Sequence, residues 1–369
     1  MTAPTTLDIF TTALHHIYRF PIPSPSSPAL DPTTWTPPPA SAGHKGRYLW
    51  TDAFGLLNFL TLYRETSTPA YLTYARSLAT AVHGTLGRTR DGRSLLPGAS
   101  PGNPLGGGLR IGKEAEGGSD GDGQYHHYLT LWMFGLNRLG RAVGGEEGRG
   151  WNDQAIALAK AIHPAFVYER FSARPRMVWK MSMDLKRVLV GSEGNLDPVD
   201  GYVVFRLLQE SDGPGSQVLA TEIADYERIV RTKWRGYSSS DPLDLGMTLW
   251  TAHWFGAREE REEWAEALVR AAARDVGELF EEGYFERPVR RRLAFREFGT
   301  AMGMRCAMEG REWDEKAERI TGAWERAGVV PTPDGSGAAG MNAEDELVPI
   351  TLVMYAAALI PGAFRKGYL

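Results

Sequence analysis

The chain contains 369 residues, of which 43% are hydrophobic and 23% charged, a composition typical of a folded globular protein. Its formal net charge is −4 and it has no long acidic or basic run, so a nucleic-acid partner is not expected. Cys306 is the single cysteine, which excludes an intrachain disulfide and a cysteine zinc cluster.

The N-terminal segment lacks the marks of an export signal. Residues 1–20 contain neither a basic start nor a continuous apolar stretch. No apolar run in the chain approaches the roughly 20 residues that a membrane-spanning helix needs. We therefore expect a soluble, cytoplasmic protein that does not associate with membranes.

The first part of the chain alternates helices with two irregular segments. An amphipathic helix is predicted over 7–20, and 21–42 is so rich in Pro, Ser and Thr that we expect an extended surface strap. A helix after Thr51 and another over 71–86 follow. Segment 91–122 is rich in Gly and Pro without periodicity; loops of that length are often functional, so we predict a lid.

The rest of the chain alternates two kinds of helix. Helices that are apolar nearly all round are expected to be buried, and amphipathic helices are expected to cover them. The apolar helices are predicted over 125–143, 202–210, 243–255, 298–308 and 350–364. The amphipathic ones are predicted over 151–167, 218–234, 262–280 and 313–327. This pattern predicts an all-α fold of about twelve helices in six hairpins, with no convincing strand and a single domain over 1–369.

Polar segments rich in aromatic and charged residues lead into the apolar helices about six times. These segments are 44–55, 119–128, 179–202, 237–246, 293–299 and 341–349. The architecture resembles the six-hairpin glycosidase-like superfamily, the (α/α)6 toroids, over nearly the whole chain. The resemblance implies a closed ring in which the N-termini of the inner helices surround a cavity. Members are mostly glycoside hydrolases, with polysaccharide lyases and sugar epimerases on related toroids.

The same short sequence motif occurs at two of the predicted helix starts. Asp197-Pro198-Val199-Asp200 and Asp241-Pro242-Leu243-Asp244 both read Asp-Pro-x-Asp. The first Asp and the Pro are explained by helix capping, because Asp is favoured at the N-cap and Pro at the next position. Asp200 and Asp244 lie one turn further on and are candidates for facing a cavity.

The segment after Trp179 mixes cations with carboxylates. Lys180 and Arg187 lie near Asp184 and Glu193. Hydrolysis of a glycosidic bond needs two carboxyl groups whose pKa values are pushed apart, which such a mixture can provide. A surface salt-bridge cluster is the alternative. The cations also suggest an acidic sugar, because paired cations recognise carboxylates.

Two adjacent histidines precede the second apolar helix. Neighbouring side chains on a helix point about 100° apart, so His126 and His127 cannot bind one metal through helical spacing. No metal and no cofactor are predicted. One histidine facing the cavity would suit a general acid or base, or a hydrogen bond to a sugar, and we take His126 as the candidate.

The sequence thus predicts a carbohydrate-active enzyme, most simply a glycoside hydrolase with carboxylate acid/base catalysis. A sugar epimerase or isomerase with a histidine acid/base, a lyase and a non-catalytic binding toroid are the alternatives. The ligand would be a small molecule or an oligosaccharide. The catalytic candidates are Asp184, Glu193, Asp200 and Asp244, followed by Asp52, His126 and Glu297. The substrate-binding candidates are Arg47, Trp50, Asp122, Tyr125, Trp179, Lys180, Arg187, Tyr202, Trp254, Arg296 and Glu344.

Overall fold

The computed structural model describes residues 4–23, 31–39, 47–117, 121–256, 262–331 and 346–369. Within these residues the chain forms twelve α-helices and five strands of two or three residues, so the all-α class is confirmed. The closed (α/α)6 ring stays a prediction.

The helices follow one another along the chain with few strands between them. They are α1 (Thr6–Tyr18), α2 (Leu49–Thr66), α3 (Pro69–Leu86), α4 (His126–Val143), α5 (Gly145–Phe166), α6 (Asp197–Asp212), α7 (Ala220–Lys233), α8 (Pro242–Gly256), α9 (Glu263–Glu281), α10 (Ala294–Ala307), α11 (Arg311–Arg326) and α12 (Val348–Leu359). The strands are β1 (Gln124–Tyr125), β2 (Val167–Tyr168), β3 (Arg176–Met177), β4 (Lys180–Met181) and β5 (Val188–Val190).

The helices divide into two compact units. The α2–α7 unit comprises residues 20–232 with residue 369, and the α8–α12 unit comprises residues 1–19, which carry α1, with 233–368. The expectation of a single domain over 1–369 stays a prediction.

In the α2–α7 unit, α2, α4 and α6 pack side by side, and contacts both at their starts and further along show that they run in the same direction. At their starts Trp50 contacts His127, and His127 contacts Asp200. Further along, Leu56 of α2 lies against Gly135 of α4, where a Cβ would come within 3.0 Å of the leucine. Helix α3 packs on α2, and α5 packs on α4 and α6. The starts of three buried helices therefore lie together within this unit.

The α8–α12 unit repeats this arrangement with α8, α10 and α12 as the inner helices. The backbones of α8 and α10 are in close contact at Gly246. A Cβ added to this glycine would lie only 2.2 Å from the carbonyl carbon of Gly299. The Phe298 ring of α10 lies 5.2 Å from the Tyr355 ring of α12. Helices α9, α11 and α1 pack on α8, α10 and α12, respectively.

The sequences of the helices explain which of them are inner. Helix α12 has no charged residue and buries every position from 350 to 358, so it can be surrounded by protein. Helix α11 is rich in charge and buries Ala317, Ile320, Thr321 and Trp324, which recur at helical spacing. Such a helix can bury one face only and must cover the core from outside.

The two irregular segments of the α2–α7 unit pack on its helices. In the described part of the strap, the Trp35 ring lies 5.8 Å from Phe59 and 5.0 Å from Tyr74. In the Gly/Pro-rich loop, the backbone of Arg110 donates to Leu86 at the end of α3, 3.0 Å. The carbonyl of Ile111 accepts from the Leu49 amide at the start of α2, also 3.0 Å. The C-terminal half of this loop is thus tied to two helices.

Among the described residues, none of the helices has both the length and the apolar character required to span a bilayer.

Candidate active site

A histidine and an aspartate meet where α4 and α6 begin. His127 is the second residue of α4 and Asp200 the fourth of α6, and Nδ1 of the imidazole is hydrogen-bonded to Oδ2 of the carboxylate. Asp200 is 1% exposed and the His127 side chain 12% exposed. A carboxylate bonded to Nδ1 fixes the tautomer and orientation of the ring and makes Nε2 the position for proton exchange. We call His127 and Asp200 the dyad.

Aromatic side chains surround the exposed face of the dyad. The Trp50 ring is tilted over the His127 ring, with centroids 4.5 Å apart and an interplanar angle of 33°. The other members are connected to it through ring contacts: Tyr128 lies 5.1 Å from Trp50, and Tyr125 lies 4.3 Å from Tyr128. The aromatic cluster, as we name it, consists of Tyr48, Trp50, Tyr125, Tyr128 and Trp179.

A small sheet holds the far side of the aromatic cluster. Strand β1 pairs antiparallel with β4, and β4 pairs with β5. The Trp179 carbonyl accepts from the His126 amide at 3.0 Å, and the Trp179 indole donates to Ser192 at 2.9 Å. These bonds place the Trp179 ring 4.7 Å from Tyr125, so the long connection before α6 contributes directly to the site.

The phenol of Tyr48 stays protonated over the physiological range. Burial raises its pKa well above the usual value, and the charge of Tyr128 and a hydrogen bond to it act in the same direction. A protonated phenol can donate to a ligand oxygen, including one that gains negative charge. Tyr48 is the residue directly before α2, so it lies at the same helix starts as the dyad.

A second polar group lies fully buried beneath the dyad. The Tyr226 hydroxyl is 2.6 Å from Nε2 of His126, and Nδ1 of His126 is 3.5 Å from Oδ1 of Asp197. His126 and Tyr226 have no exposed surface and Asp197 is 4% exposed. We call Asp197, His126 and Tyr226 the inner triad. His126, the histidine chosen from the sequence, therefore lies in this buried group, whereas its neighbour His127 faces the aromatic cluster.

A related buried pair lies next to the inner triad. Nε2 of His163 is 3.5 Å from Oδ2 of Asp225, and the His163 ring is 5.3 Å from Tyr226. Burial, followed by the charges of Arg170 and His126, lowers the pKa of His163 to about 3. Burial also raises the pKa of Asp225. His163 is therefore uncharged at neutral pH.

Asp52 forms a buried ion pair at the start of α2. Its Oδ1 is 3.0 Å from Nε of Arg47, with side-chain exposures of 0% and 3%. A buried arginine beside a buried carboxylate compensates its charge. Both residues were expected in the site, Asp52 as a catalytic group and Arg47 as a ligand contact, and the structure pairs them with each other.

Asp122 holds the end of the Gly/Pro-rich loop. It accepts from Nη1 of Arg110 at 3.1 Å, from Nη1 of Arg90 at 3.0 Å and from the backbone amides of Gly112 and Gly123 at 2.9 and 3.0 Å. A carboxylate with four donors has little capacity left for a ligand. Asp122 was expected to contact substrate, and its observed bonds are all to the chain itself.

The charged segment between β4 and β5 forms a turn. Asp184 accepts from the Ser182 hydroxyl at 2.5 Å and from the Lys186 amide at 3.2 Å. The hydroxyl bond is the main reason why the pKa of Asp184 is lowered. Arg187 is exposed, and its carbonyl accepts from the amide of Ser182 at 2.8 Å. The two hydrogen bonds of Asp184 thus stabilise the turn between β4 and β5.

Three further candidates lie near the same strands and the start of α6. Lys180 is 2% exposed and its Nζ donates to the Gly121 carbonyl at 2.7 Å. Tyr202 is 8% exposed, with the Arg206 guanidinium 4.9 Å from its ring centre. Glu193 is partly buried in the connection before α6.

The remaining described candidates belong to the α8–α12 unit. Asp244 accepts from the Tyr237 hydroxyl at 3.0 Å, and Arg296 pairs with Asp241. Trp254 is 4% exposed, and its carbonyl accepts from Nζ of Lys366 at 2.8 Å. Glu344, the last substrate-binding candidate, lies outside the described residues.

Glu297 is engaged on both oxygens. Its Oε1 accepts from Nε of Arg292 at 2.6 Å, and its Oε2 accepts from Nη2 of Arg292 and from the Trp324 indole, the latter at 2.8 Å. The glutamate is fully buried and Arg292 is 7% exposed. The bidentate pair ties the start of α10 to the segment before it, and the Trp324 bond ties it to α11.

Sequence reasoning did not select four residues of this region, namely His127, Tyr128, Tyr48 and Tyr226. The available signal for the first two was the run Gln124 to Tyr128, which places four aromatic or imidazole side chains in a row at a helix start. Tyr226 lies on an amphipathic helix, where its position indicates only burial.

Within the described ranges, no group of three or more His, Cys, Asp or Glu side chains is placed to hold a metal ion. The chain matches no protein-family model, and no curated protein is significantly similar to it in sequence.

Proposed function

We propose that this protein is a carbohydrate-processing enzyme of the toroid type, in which His127 transfers a proton to or from a sugar held against the aromatic cluster. The observation that carries the proposal is the dyad itself, a partly exposed imidazole bonded to a buried carboxylate and stacked on Trp50. Aromatic faces suit the C–H faces of a sugar ring, and phenols and indoles suit its hydroxyls.

An isomerase-type reaction uses the dyad most directly. Neutral His127 would remove the proton from the carbon beside the carbonyl of an open-chain sugar, and the electron pair of that C–H bond would form an enediolate. Return of the proton to the former carbonyl carbon, with transfer of the hydroxyl proton, gives the isomer. Asp200 stabilises the imidazolium in between, and the protonated Tyr48 can donate to the enediolate oxygen.

Glycoside hydrolysis is the second candidate, and two buried carboxylates favour it. Asp52 and Asp200 are each the fourth residue of an inner helix, and α2 and α6 lie on either side of α4. Hydrolysis would use one carboxyl group as acid and the other as base. Arg47 and His127, the partners of these aspartates, would set which of them carries the proton.

The experiment is incubation of the purified protein in D2O with a panel of neutral and uronic mono- and oligosaccharides, followed by mass spectrometry and NMR. Isomerase-type transfer incorporates carbon-bound deuterium without cleavage, whereas hydrolysis adds water across a bond. Either activity should be lost in His127→Asn, with circular dichroism unchanged. Absence of both exchange and cleavage across the panel would reject the proposal.

A further inference from the structure

The inner triad lies directly next to the dyad in the two helices that carry it. His126 precedes His127 in α4, and Asp197 lies one helical turn before Asp200 in α6. The contact of His126 with Asp197 and the hydrogen bond of His127 with Asp200 therefore link the same two helix starts. Any shift between these helices changes both links together.

Tyr226 of α7 contacts both sides of this junction. Its hydroxyl lies 2.6 Å from Nε2 of His126. Its ring lies against Gly201, the residue after Asp200, so closely that a Cβ on Gly201 would be 2.4 Å from Cζ of the ring. Tyr226 thus contacts His126, the neighbour of His127, and Gly201, the neighbour of Asp200.

We propose that Tyr226 is a positioning residue for the dyad, which holds the first turns of α4 and α6 in register through His126 and Gly201. The inference deepens the proposed function, since it assigns a role within the same site. Tyr226 has no exposed surface, so it acts through its neighbours and not on a ligand.

The Tyr226 phenol sets the direction of its hydrogen bond with His126. Burial raises the pKa of Tyr226 well above its usual value, with the charge of Asp197 as the next cause, so the phenol remains a donor. Nε2 of His126 then accepts from the phenol, and Nδ1 carries the proton that faces Asp197. This tautomer accepts from Tyr226 and places the Nδ1 proton towards Asp197, 3.5 Å away.

Loss of the Tyr226 hydroxyl should disturb the dyad without removing the ring from Gly201. In Tyr226→Phe the ring still fills its place, but Nε2 of the buried His126 loses its donor, so we expect the imidazole and the first turn of α4 to shift. His127, the next residue on the helix, moves with it. A displacement of about 1 Å at a reacting group can cost about 10²-fold in rate.

The test is ¹⁵N NMR of the histidine side chains in ligand-free Tyr226→Phe, together with kcat and KM on the substrate found by the sugar panel. We expect the ring-nitrogen shifts of both His126 and His127 to change, and kcat to fall about 10- to 100-fold with KM nearly constant. Tyr74→Phe is the matched control, because that buried tyrosine also donates one hydrogen bond, to the Pro21 carbonyl at 2.9 Å. It should lose comparable thermal stability and leave His127 unchanged.

Unchanged His127 shifts and unchanged kcat in a Tyr226→Phe protein that melts earlier would overturn the proposal, since Tyr226 would then be only structural. Gly201→Ala gives a second approach, because the added methyl must displace the Tyr226 ring. If Gly201→Ala folds and its His127 ring-nitrogen shifts equal those of the wild type, the positioning role of Tyr226 would also be overturned.

The NMR measurement separates this inference from the proposed function. If no sugar reacts but the His127 shifts depend on Tyr226, the positioning stands and the assigned chemistry fails. If turnover requires His127 but neither its shifts nor kcat depend on Tyr226, the chemistry stands and the positioning fails.

Discussion

Two helices of this protein begin with the same pattern, Asp-Pro-x-Asp, and differ in what faces it. At the start of α6, Asp200 is 1% exposed and bonds to the imidazole of His127. At the start of α8, Asp244 is half-buried and accepts from the Tyr237 hydroxyl at 3.0 Å. The comparison teaches that the neighbouring residue decides what an aspartate can do at a helix start.

The partners differ in their capacity to exchange a proton. An imidazole can gain and lose one near neutral pH. The pKa of Tyr237, in contrast, is raised by burial first and then by the charge of Asp244, so this phenol keeps its proton. The proposed proton transfer therefore concerns the α6 start, whereas the α8 start has a fixed hydrogen bond.

The first Asp of the pattern also has a different role in each helix. Asp241 caps α8, because its Oδ1 accepts from the Leu243 amide at 2.8 Å. Asp197 is already the first residue of α6, where Leu196 takes the capping position without a side-chain bond, and its carboxylate faces His126 instead. The same sequence thus provides a cap in one helix and a member of the inner triad in the other.

The largest expected effect is on turnover. His127→Asn and Asp200→Asn should each reduce kcat by at least about 10²-fold, because general acid/base catalysis contributes roughly that much or more. Asp244→Asn should have a much smaller effect. The measurement is steady-state kinetics on the identified substrate, with melting curves as a check of folding. Equal losses in all three variants would show that both helix starts take part in the reaction.

The next effect concerns the glycines that follow the two patterns. Gly246→Ala should lower the free energy of unfolding by about 1 to 3 kcal/mol, because backbone atoms of α10 occupy the place of the new methyl and cannot turn aside. Gly201→Ala should cost less, since a tyrosine ring can shift. Urea denaturation measures both.

Gly277→Ala on α9 is the control for these glycines, because no atom lies within 4 Å of its Cβ position. It should stabilise the protein by about 0.4 to 1 kcal/mol through the unfolded chain. Stabilisation by Gly246→Ala would contradict the close contact between α8 and α10.

A smaller effect on stability should show that Asp241 acts as a helix cap. Asp241→Ala should cost about 1 kcal/mol, the usual value of an N-cap bond, whereas Asp241→Asn should retain most of the stability because Asn caps equally well. The pair with Arg296 adds little, since both side chains are more than a third exposed. Thermal denaturation of the two variants measures the difference. An equal loss in both would mean that the ion pair and not the cap stabilises the start of α8.

The smallest effect is a change in pH dependence in the α2–α7 unit. His163 has a pKa of about 3 in the folded state against 6.5 for a free histidine, so above pH 6.5 its stabilising contribution is fully present. As the pH falls from 6.5 towards 3, the unfolded chain binds a proton that the folded chain does not, and stability falls by up to about 1.4 kcal/mol per pH unit. The raised pKa of Asp225 acts in the opposite sense at the acidic end.

His163→Gln should therefore flatten the dependence of the melting temperature on pH between 6.5 and 4, the upper part of the range set by the His163 pKa. His16→Gln on α1 is the comparison: burial also lowers the pKa of His16, but this imidazole is only partly buried, so its removal should flatten the dependence less. An unchanged slope in His163→Gln would mean that His163 is not held neutral by the fold.

Much of the fold follows from the sequence because burial leaves a periodic pattern. The apolar run predicted as a helix over 125–143 is α4, His126–Val143, and that predicted over 243–255 is α8, Pro242–Gly256. The choice between His126 and His127 could not be made in this way. The two residues are adjacent and chemically identical, and only the position of α7 with Tyr226 decides which one is enclosed.

The charged candidates show the same limit. A list of Asp122 and Glu297 gives no indication that Arg110 and Arg292 neutralise them. Such pairs depend on distances across loops and helices, which the spacing along the chain does not determine. The sequence indicated which segments carry polar chemistry, and the partners decided which residues remain available for a ligand.

The four bonds of Asp122 have a practical consequence for the long loop before α4. Three of them hold the C-terminal half of the loop, and the fourth ties Arg90, after α3, to the same carboxylate, while the tip of the turn that follows, at Arg93, is 86% exposed and takes no part in these bonds. A protease cut at this tip would leave both ends of the break anchored by α3 on one side and Asp122 on the other. The tip is therefore a suitable place for new chain termini or for an inserted reporter domain.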